Sequence, residues 1–118
     1  VPMTGDYLTD DIGSGYDLVL AIATLSFVEQ EMAGLMKKLY KAMNPGGVLL
    51  CYSEGIERDG SGPWDMMLGW LPYNMQGYDL GLKKNEIAEA AMAAGFRSAE
   101  KRTGIYSTGN VDVDIFRK

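Results

Sequence analysis

Residues 16–54 read YDLVLAIATLSFVEQEMAGLMKKLYKAMNPGGVLLCYSE, and this stretch constrains the fold more than any other. Residues 16–23 are almost continuously apolar after Asp17. A strand covered on both faces, as in a parallel sheet, has that composition, whereas a strand with one wet face alternates. Residues 24–28 leave the strand as a short loop, and helix signals begin at Glu29. Met32, Leu35, Met36, Leu39, Tyr40 and Met43 then recur at helical spacing and make one apolar stripe. Glu29 and Glu31 suit the positive end of such a helix, and Lys37, Lys38 and Lys41 suit its negative end. Asn44-Pro45-Gly46-Gly47 stops it, because proline cannot continue a helix and glycine permits a tight return. Residues 48–52 (VLLCY) form the second strand. Parallel strands need a crossover of this length, and the handedness rule makes it right-handed.

The flanks extend that unit. Residues 1–15 read as loop and hold a small island, Gly5-Asp6-Tyr7-Leu8. Residues 53–62 are polar and glycine-rich, a loop at the C-terminal end of the second strand, where open α/β sheets take their ligands. Residues 63–82 hold both tryptophans, and residues 64–71 suit a short helix begun by Pro63 and broken by Pro72. So many large apolar groups in an irregular segment fit a cover over a pocket, an oligomer contact or completion of the core. Residues 84–94 form a second helix with Ile87, Ala88, Ala91 and Met92 on one face, Gly95 after its end and Phe96 folding back. Residues 97–106 and 111–116 are two strands about the turn cluster Ser107-Thr108-Gly109-Asn110. In the last strand Val111, Val113 and Ile115 alternate with Asp112, Asp114 and Phe116. The expected architecture is one α/β domain: a parallel strand–helix–strand unit and an antiparallel C-terminal hairpin, its last strand inserted beside residues 48–52.

Composition removes several function classes. A chain of 118 residues with a net charge of −5 has one core and no basic footprint for nucleic acid. No apolar run approaches the roughly 20 residues that span a bilayer. With no histidine there is no His-based triad, general base or metal site, and a single cysteine makes a zinc site of the usual Cys/His type equally remote. Cys51 falls in an expected buried strand, so it reads as an inert core thiol and fits a reducing, cytoplasmic setting.

Taken in order, these residues resemble a known family: the C-terminal half of a class I S-adenosylmethionine-dependent methyltransferase, with its Rossmann-like sheet. Within that class the chain is most similar to small-molecule O-methyltransferases of the caffeate/hydroxyindole type. The resemblance is carried by Gly5-Asp6-Tyr7-Leu8, by Tyr16-Asp17-Leu18-Val19-Leu20, and by the helix end and strand from Leu39 through Asn44-Pro45-Gly46-Gly47 to Leu50. Ala93-Ala94-Gly95-Phe96 and the closing hairpin complete it. The most specific piece is the helix–NPGG–VLL join.

The resemblance implies that Asp6 accepts from the exocyclic amine of the cofactor's adenine and that Tyr7 packs on its ring. Ala21 and Ala23, at the exit of the first strand, would pass close to S-adenosylmethionine. Leu25, Trp64, Met67 and Trp70 would shape the pocket of a small-molecule acceptor. Plant-type members place a catalytic histidine where this chain has Leu25, which cannot take a proton; the catalytic residue is then unassigned, with Glu29 a candidate substitute base. No glycine-rich loop follows a strand, and no acid ends a second strand. The chain, which begins at Val1, is therefore expected to be the C-terminal portion of a longer methyltransferase and to be inactive alone. A non-catalytic methyltransferase-like domain used for binding or dimerisation is the alternative. Without a neighbour for the strand over residues 17–23, edge-to-edge association into a homo-oligomer is also expected.

Overall fold

The structure, a computed structural model, describes residues 1–53, 55–78, 82–106 and 109–118. Its sheet contains β1 (Tyr16–Ile22), β2 (Met43–Ser53), β3 (Ser98–Tyr106) and β4 (Gly109–Arg117). Three helices accompany it: α1 (Met32–Ala42), α2 (Trp64–Met75) and α3 (Glu86–Ala94). The strand order is β1-β2-β4-β3, with β1 and β2 parallel and β4 antiparallel to both β2 and β3. The α/β class, the parallel unit and the inserted last strand all match the sequence expectation. Of the expected turn, Ser107 and Thr108 lie outside the described residues, as does Glu54, while Gly109 and Asn110 already belong to β4.

One face of the sheet carries the core. Met32, Leu35, Met36 and Leu39 of α1 are buried together with Ile87 and Ala91 of α3, Leu49 and Cys51 of β2, and Phe116 of β4. The stripe works as read from Met32 to Leu39, while Tyr40 is half-buried and Met43 already belongs to β2. On α3 the face differs from the reading at one position: Ile87 and Ala91 are buried and Ala88 packs against the core, but Met92 is exposed. Gly95 closes α3 at φ +115°, and the Phe96 N–H returns to the Ala91 carbonyl at 3.2 Å. That return sets the Phe96 ring edge-on to Tyr40, centroids 5.2 Å apart.

The other face departs from expectation at β1. Leu18, Leu20 and Ile22 are 56–57% exposed, so the strand is not covered on both faces. Among the described residues α1 covers the Val19 and Ala21 side, and nothing lies beyond β1 in the sheet.

The helix also starts later than its acids suggest. Two 3₁₀ turns, Leu25–Phe27 and Glu29–Glu31, precede α1, with Val28 N–H on the Leu25 carbonyl and Glu31 N–H on that of Val28. Buried Leu25 and Val28 hold this segment against the core before regular helix begins.

Asn44-Pro45-Gly46-Gly47 ends α1 as expected, but it lies inside β2 rather than in a turn. Tyr16 pairs with Met43 and Leu18 with Val48, so the extra residues of β2 bulge out against β1. Three of these four residues have a job in that bulge. Gly46 takes φ +81°. Gly47 fits because a Cβ there would lie 2.9 Å from the Asn44 carbonyl oxygen and 3.1 Å from that of Tyr16. Asn44 Nδ2 donates to the Gly15 carbonyl and to Asp17 Oδ1, tying the bulge to the start of β1. Lys118 Nζ donates to the carbonyls of Tyr40 and Met43, satisfying acceptors at the C-terminal end of α1.

The alternation in β4 resolves with its acids inward. Asp112 and Asp114 share the helix side with Phe116 and are buried, while Val113 and Ile115 are half-buried on the other face. Lys101 of β3 makes this tolerable, with Nζ 3.3 Å from a carboxylate oxygen of each acid, and Thr103 Oγ1 donates to Asp112 at 2.7 Å. Desolvation still pushes the Asp114 carboxyl above the ordinary range, against the pull of Lys101. Burial, aided by the Asp114 charge, raises the Cys51 thiol to about 12, which fits an inert core cysteine.

Candidate functional site at the exit of the first strand

The island Gly5-Asp6-Tyr7-Leu8 is built as a compact turn. Asp6 Oδ1 accepts the Leu8 N–H at 2.9 Å, and the Asp6 carbonyl accepts the N–H groups of Thr9 and Asp10. Asp10 Oδ2 accepts the Asp6 N–H at 2.9 Å. What fixes this turn to the body is Lys38. Its ammonium donates to the carbonyls of Tyr7 (2.9 Å), Leu8 (3.1 Å) and Asp10. A lysine read as a helix-end charge is therefore the clamp on the candidate cofactor loop. No local sequence signal marks it, because the contact spans some thirty residues.

So held, Tyr7 reaches the end of β1, where its hydroxyl and Thr24 Oγ1 share a 3.0 Å hydrogen bond. Tyr7, Ala21, Thr24 and Leu25 line one cleft of about 410 Å³, together with Ile12, Tyr16, the β1 side chains 18–20, and Leu35 and Leu39 of α1. Its walls are almost wholly apolar, and Tyr7 and Tyr16 supply the only titratable side chains among those lining it. Asp6 lines an adjoining cavity of about 210 Å³ that shares Tyr7, Ile12 and Tyr16 with the first. Ala23 lines neither; it makes the turn out of β1 at φ +51°, in the left-handed region. Leu25 is 1% exposed, a wall rather than a reaching group. Glu29 sits half-buried in the second 3₁₀ turn.

The expected acceptor residues gather in a different place. Trp64, Met67 and Trp70 line a second cleft of about 270 Å³ with Ile56, Gly60, Leu68, Leu71, Asn74 and Lys83. They all stand on α2, which runs through Pro72 to Met75 rather than ending before the proline. No residue of α2 is buried, so the helix itself does not complete the core; Leu82, at the end of the stretch, does, and residues 79–81 lie outside the described residues. The two regions meet at one ring contact, Phe27 edge-on to Trp70 with centroids 5.8 Å apart. Phe27 directly follows the Leu25–Ser26 wall, so α2 reaches the β1 exit through it.

The adenine end of S-adenosylmethionine needs a flat apolar cover and an acceptor for its amine. Tyr7 and exposed Asp6 offer these side by side, and Asp6 Oδ1 alone is taken up by the turn. The residues fit that end of the molecule. Among the described residues no group of three or more Asp, Glu or Cys side chains is placed to hold a metal ion, and no helix is long and apolar enough to cross a membrane.

Comparison with known proteins bears on this geometry. No family model matches the chain. It is 30% identical over 101 residues to acetylserotonin O-methyltransferase of Gallus gallus, which covers 85% of this chain and 29% of that protein. Among solved structures, human N-acetylserotonin methyltransferase in complex with SAM superposes with a TM-score of 0.75 at 22% identity, covering 98% of this chain and 33% of that one. PigF, solved with SAH, gives 0.72 at 24% identity over 97% of this chain and 34% of its own. An O-methyltransferase family protein from Burkholderia thailandensis gives 0.72 at 19% identity, covering 94% and 33%. The chain thus spans about a third of the length of each of these four proteins.

Proposed function

Starting from a chain that has the C-terminal part of the class I S-adenosylmethionine-dependent methyltransferase fold, we propose that it belongs to an enzyme methylating a small-molecule acceptor. The observation that carries this is the Tyr7–Thr24 junction, where a clamped Asp6-Tyr7 turn meets the exit of β1 beside an apolar cleft. S-adenosylmethionine, the cofactor of the family, would bring an electrophilic methyl group on a sulfonium. Asp6 would accept from the adenine amine, Tyr7 would cover its ring, and Ala21 and Ala23 would border the cofactor with no bulk of their own. Leu25 would exclude water, and Trp64, Met67 and Trp70 would hold the acceptor.

Attack on a sulfonium methyl depends mainly on alignment and desolvation, which an apolar, aromatic-walled site supplies. Leu25 takes no proton, so Glu29 is the candidate base for an acceptor that must lose one. An acceptor that is already nucleophilic needs none. The exposed, apolar α2 favours a further reading, that copies associate into a homo-oligomer. The buried Cys51 thiol suits a reducing cytoplasm.

The 118 residues form a single, partial catalytic domain that carries the adenine side of the site and lacks a glycine-rich loop. Calorimetric titration with S-adenosylmethionine should therefore give no saturable binding in the micromolar range and no turnover with small phenols or amines. Micromolar binding would overturn the partial-site reading. The alternative, a non-catalytic binding domain, is favoured by Leu25 at the exit of β1. It predicts that adenosine leaves the resonances of Tyr7 and Thr24 unmoved.

A further inference from the structure

Tyr7 is held at both ends. Its carbonyl accepts from Lys38 Nζ at 2.9 Å, and its hydroxyl shares a 3.0 Å hydrogen bond with Thr24 Oγ1. Between these points lies the ring that would cover adenine. The two holds come from separate parts of the fold, Lys38 from α1 and Thr24 from the residues that leave β1. Asp6 is held through its neighbours. Its Oδ1 accepts the Leu8 N–H, its carbonyl accepts the Asp10 N–H, and its own N–H donates to Asp10 Oδ2. Gly5 leaves room for that last bond, since a Cβ there would stand 2.8 Å from Asp10 Oδ2. Leu8 and Asp10 are also the residues whose carbonyls join that of Tyr7 around the Lys38 ammonium. An ammonium carries three donors, and one turn accepts them all.

We propose that Lys38 and Thr24 are positioning residues for the purine end of the cofactor, with separable effects. Lys38 fixes the carboxylate that reads the amine together with the ring, whereas Thr24 fixes the ring alone. These roles deepen the methyl-transfer reading and rest on its adenine site at Asp6 and Tyr7. A group already held in its bound geometry loses less freedom when ligand arrives, so affinity follows what holds it. One net hydrogen bond corresponds to roughly 2- to 12-fold in an equilibrium.

Adenosine and inosine tell the two roles apart. Inosine carries a carbonyl oxygen where adenosine has its amine, so a carboxylate acceptor reads the difference, while a ring cover does not. The labelled 118-residue chain is titrated with each nucleoside, and the initial slope of the Asp6 and Tyr7 amide shifts against concentration is compared. Thr24→Val should lower both slopes about fivefold and leave their ratio unchanged. Thr24→Ser, which keeps the hydroxyl, should restore them. Tyr7→Phe breaks the same bond from the other side, so adding it to Thr24→Val should cost nothing further. Lys38→Met should lower the adenosine slope about tenfold and bring the adenosine-to-inosine ratio close to one. Lys37→Met removes the same charge from an exposed neighbour on α1 and should change neither slope.

No adenosine-dependent shift at Asp6 and Tyr7 in the unaltered chain overturns the adenine site and both roles with it. Equal slopes for the two nucleosides in the unaltered chain overturn the hold on the amine reader. If the unaltered chain prefers adenosine and Lys38→Met keeps that preference, the role of Lys38 falls alone. Slopes undiminished by Thr24→Val remove the role of Thr24. Should Lys38→Met lose the core amide resonances of Leu49 and Phe116, the Thr24 and Tyr7 variants, altered outside any helix or strand, carry the test.

Discussion

Replacing Gly47 with alanine should destabilise the protein, although glycine-to-alanine changes often do the reverse. The Cβ would sit 2.9 Å and 3.1 Å from the carbonyl oxygens of Asn44 and Tyr16, both backbone atoms held by the bulge, and 3.2 Å from Met43 Cε. Forcing a methyl into such a space costs about 1–3 kcal/mol. Restricting the unfolded chain returns about 0.4–1 kcal/mol. The net loss is then between about 0 and 2.6 kcal/mol, centred on about 1.3 kcal/mol. Two neighbouring glycines separate sterics from conformation. Gly46→Ala meets no atom within 4 Å but must hold φ +81°, costing about 1–2 kcal/mol before the same return. Gly34→Ala, on an exposed face inside α1 with nothing within 4 Å, should stabilise by about 0.5–1 kcal/mol. Urea denaturation of the three variants at unchanged m-value is the assay. If Gly47→Ala proved as stabilising as Gly34→Ala, the close-packed reading of the helix–strand join would be wrong.

Three other outcomes are expected. Lys101→Met leaves Asp112 and Asp114 buried without their cation and should lower stability by about 2–4 kcal/mol, largely restored when both acids become asparagine. Asp114 has a folded pKa above its unfolded value, so the folded state binds more protons between the two; its contribution to stability falls as pH rises through that window. Asp114→Asn should remove that component from a plot of denaturation midpoint against pH, and an unchanged slope would contradict the raised carboxyl. Lys38→Met should release the 6–10 turn, speeding amide exchange at Thr9 and Asp10 about tenfold with the core little changed.

Patterns with a short repeat were legible in the sequence. The α1 stripe, the apolar β1 and β2, and Gly95 with Phe96 each depend on neighbours within a turn or two, and each element is found, although α1 starts three residues later and β2 five residues earlier than the pattern puts them. What hid was set by partners far along the chain. Lys38 is an ordinary helix lysine until residues 7–10 fold over it. The alternation around Asp112 and Asp114 does not say which set turns inward, because the cation that lets the acids do so lies on β3. Asn44-Pro45-Gly46-Gly47 announces a stop, yet only pairing with Tyr16 and Leu18 makes it a bulge in a strand. The exposure of Leu18, Leu20 and Ile22 was illegible for the same reason, since composition reports how apolar a strand is and not which of its faces is covered.

The site follows that division. The Asp6-Tyr7 island is visible as a motif, but its position beside Thr24 depends on the Lys38 clamp. The candidate acceptor residues Trp64, Met67 and Trp70 share a cleft because they recur at every third position of α2, which runs on through Pro72.

The most direct measurement is a two-dimensional NMR titration of dilute, isotope-labelled protein with adenosine and then S-adenosylmethionine at millimolar concentration. If this chain carries the adenine side of a methyltransferase site, shifts should concentrate at Asp6, Tyr7, Ala21 and Thr24, and the Tyr7→Ala variant should lose them. Shifts confined to the α2 cleft, or none at all with either ligand, would contradict that claim.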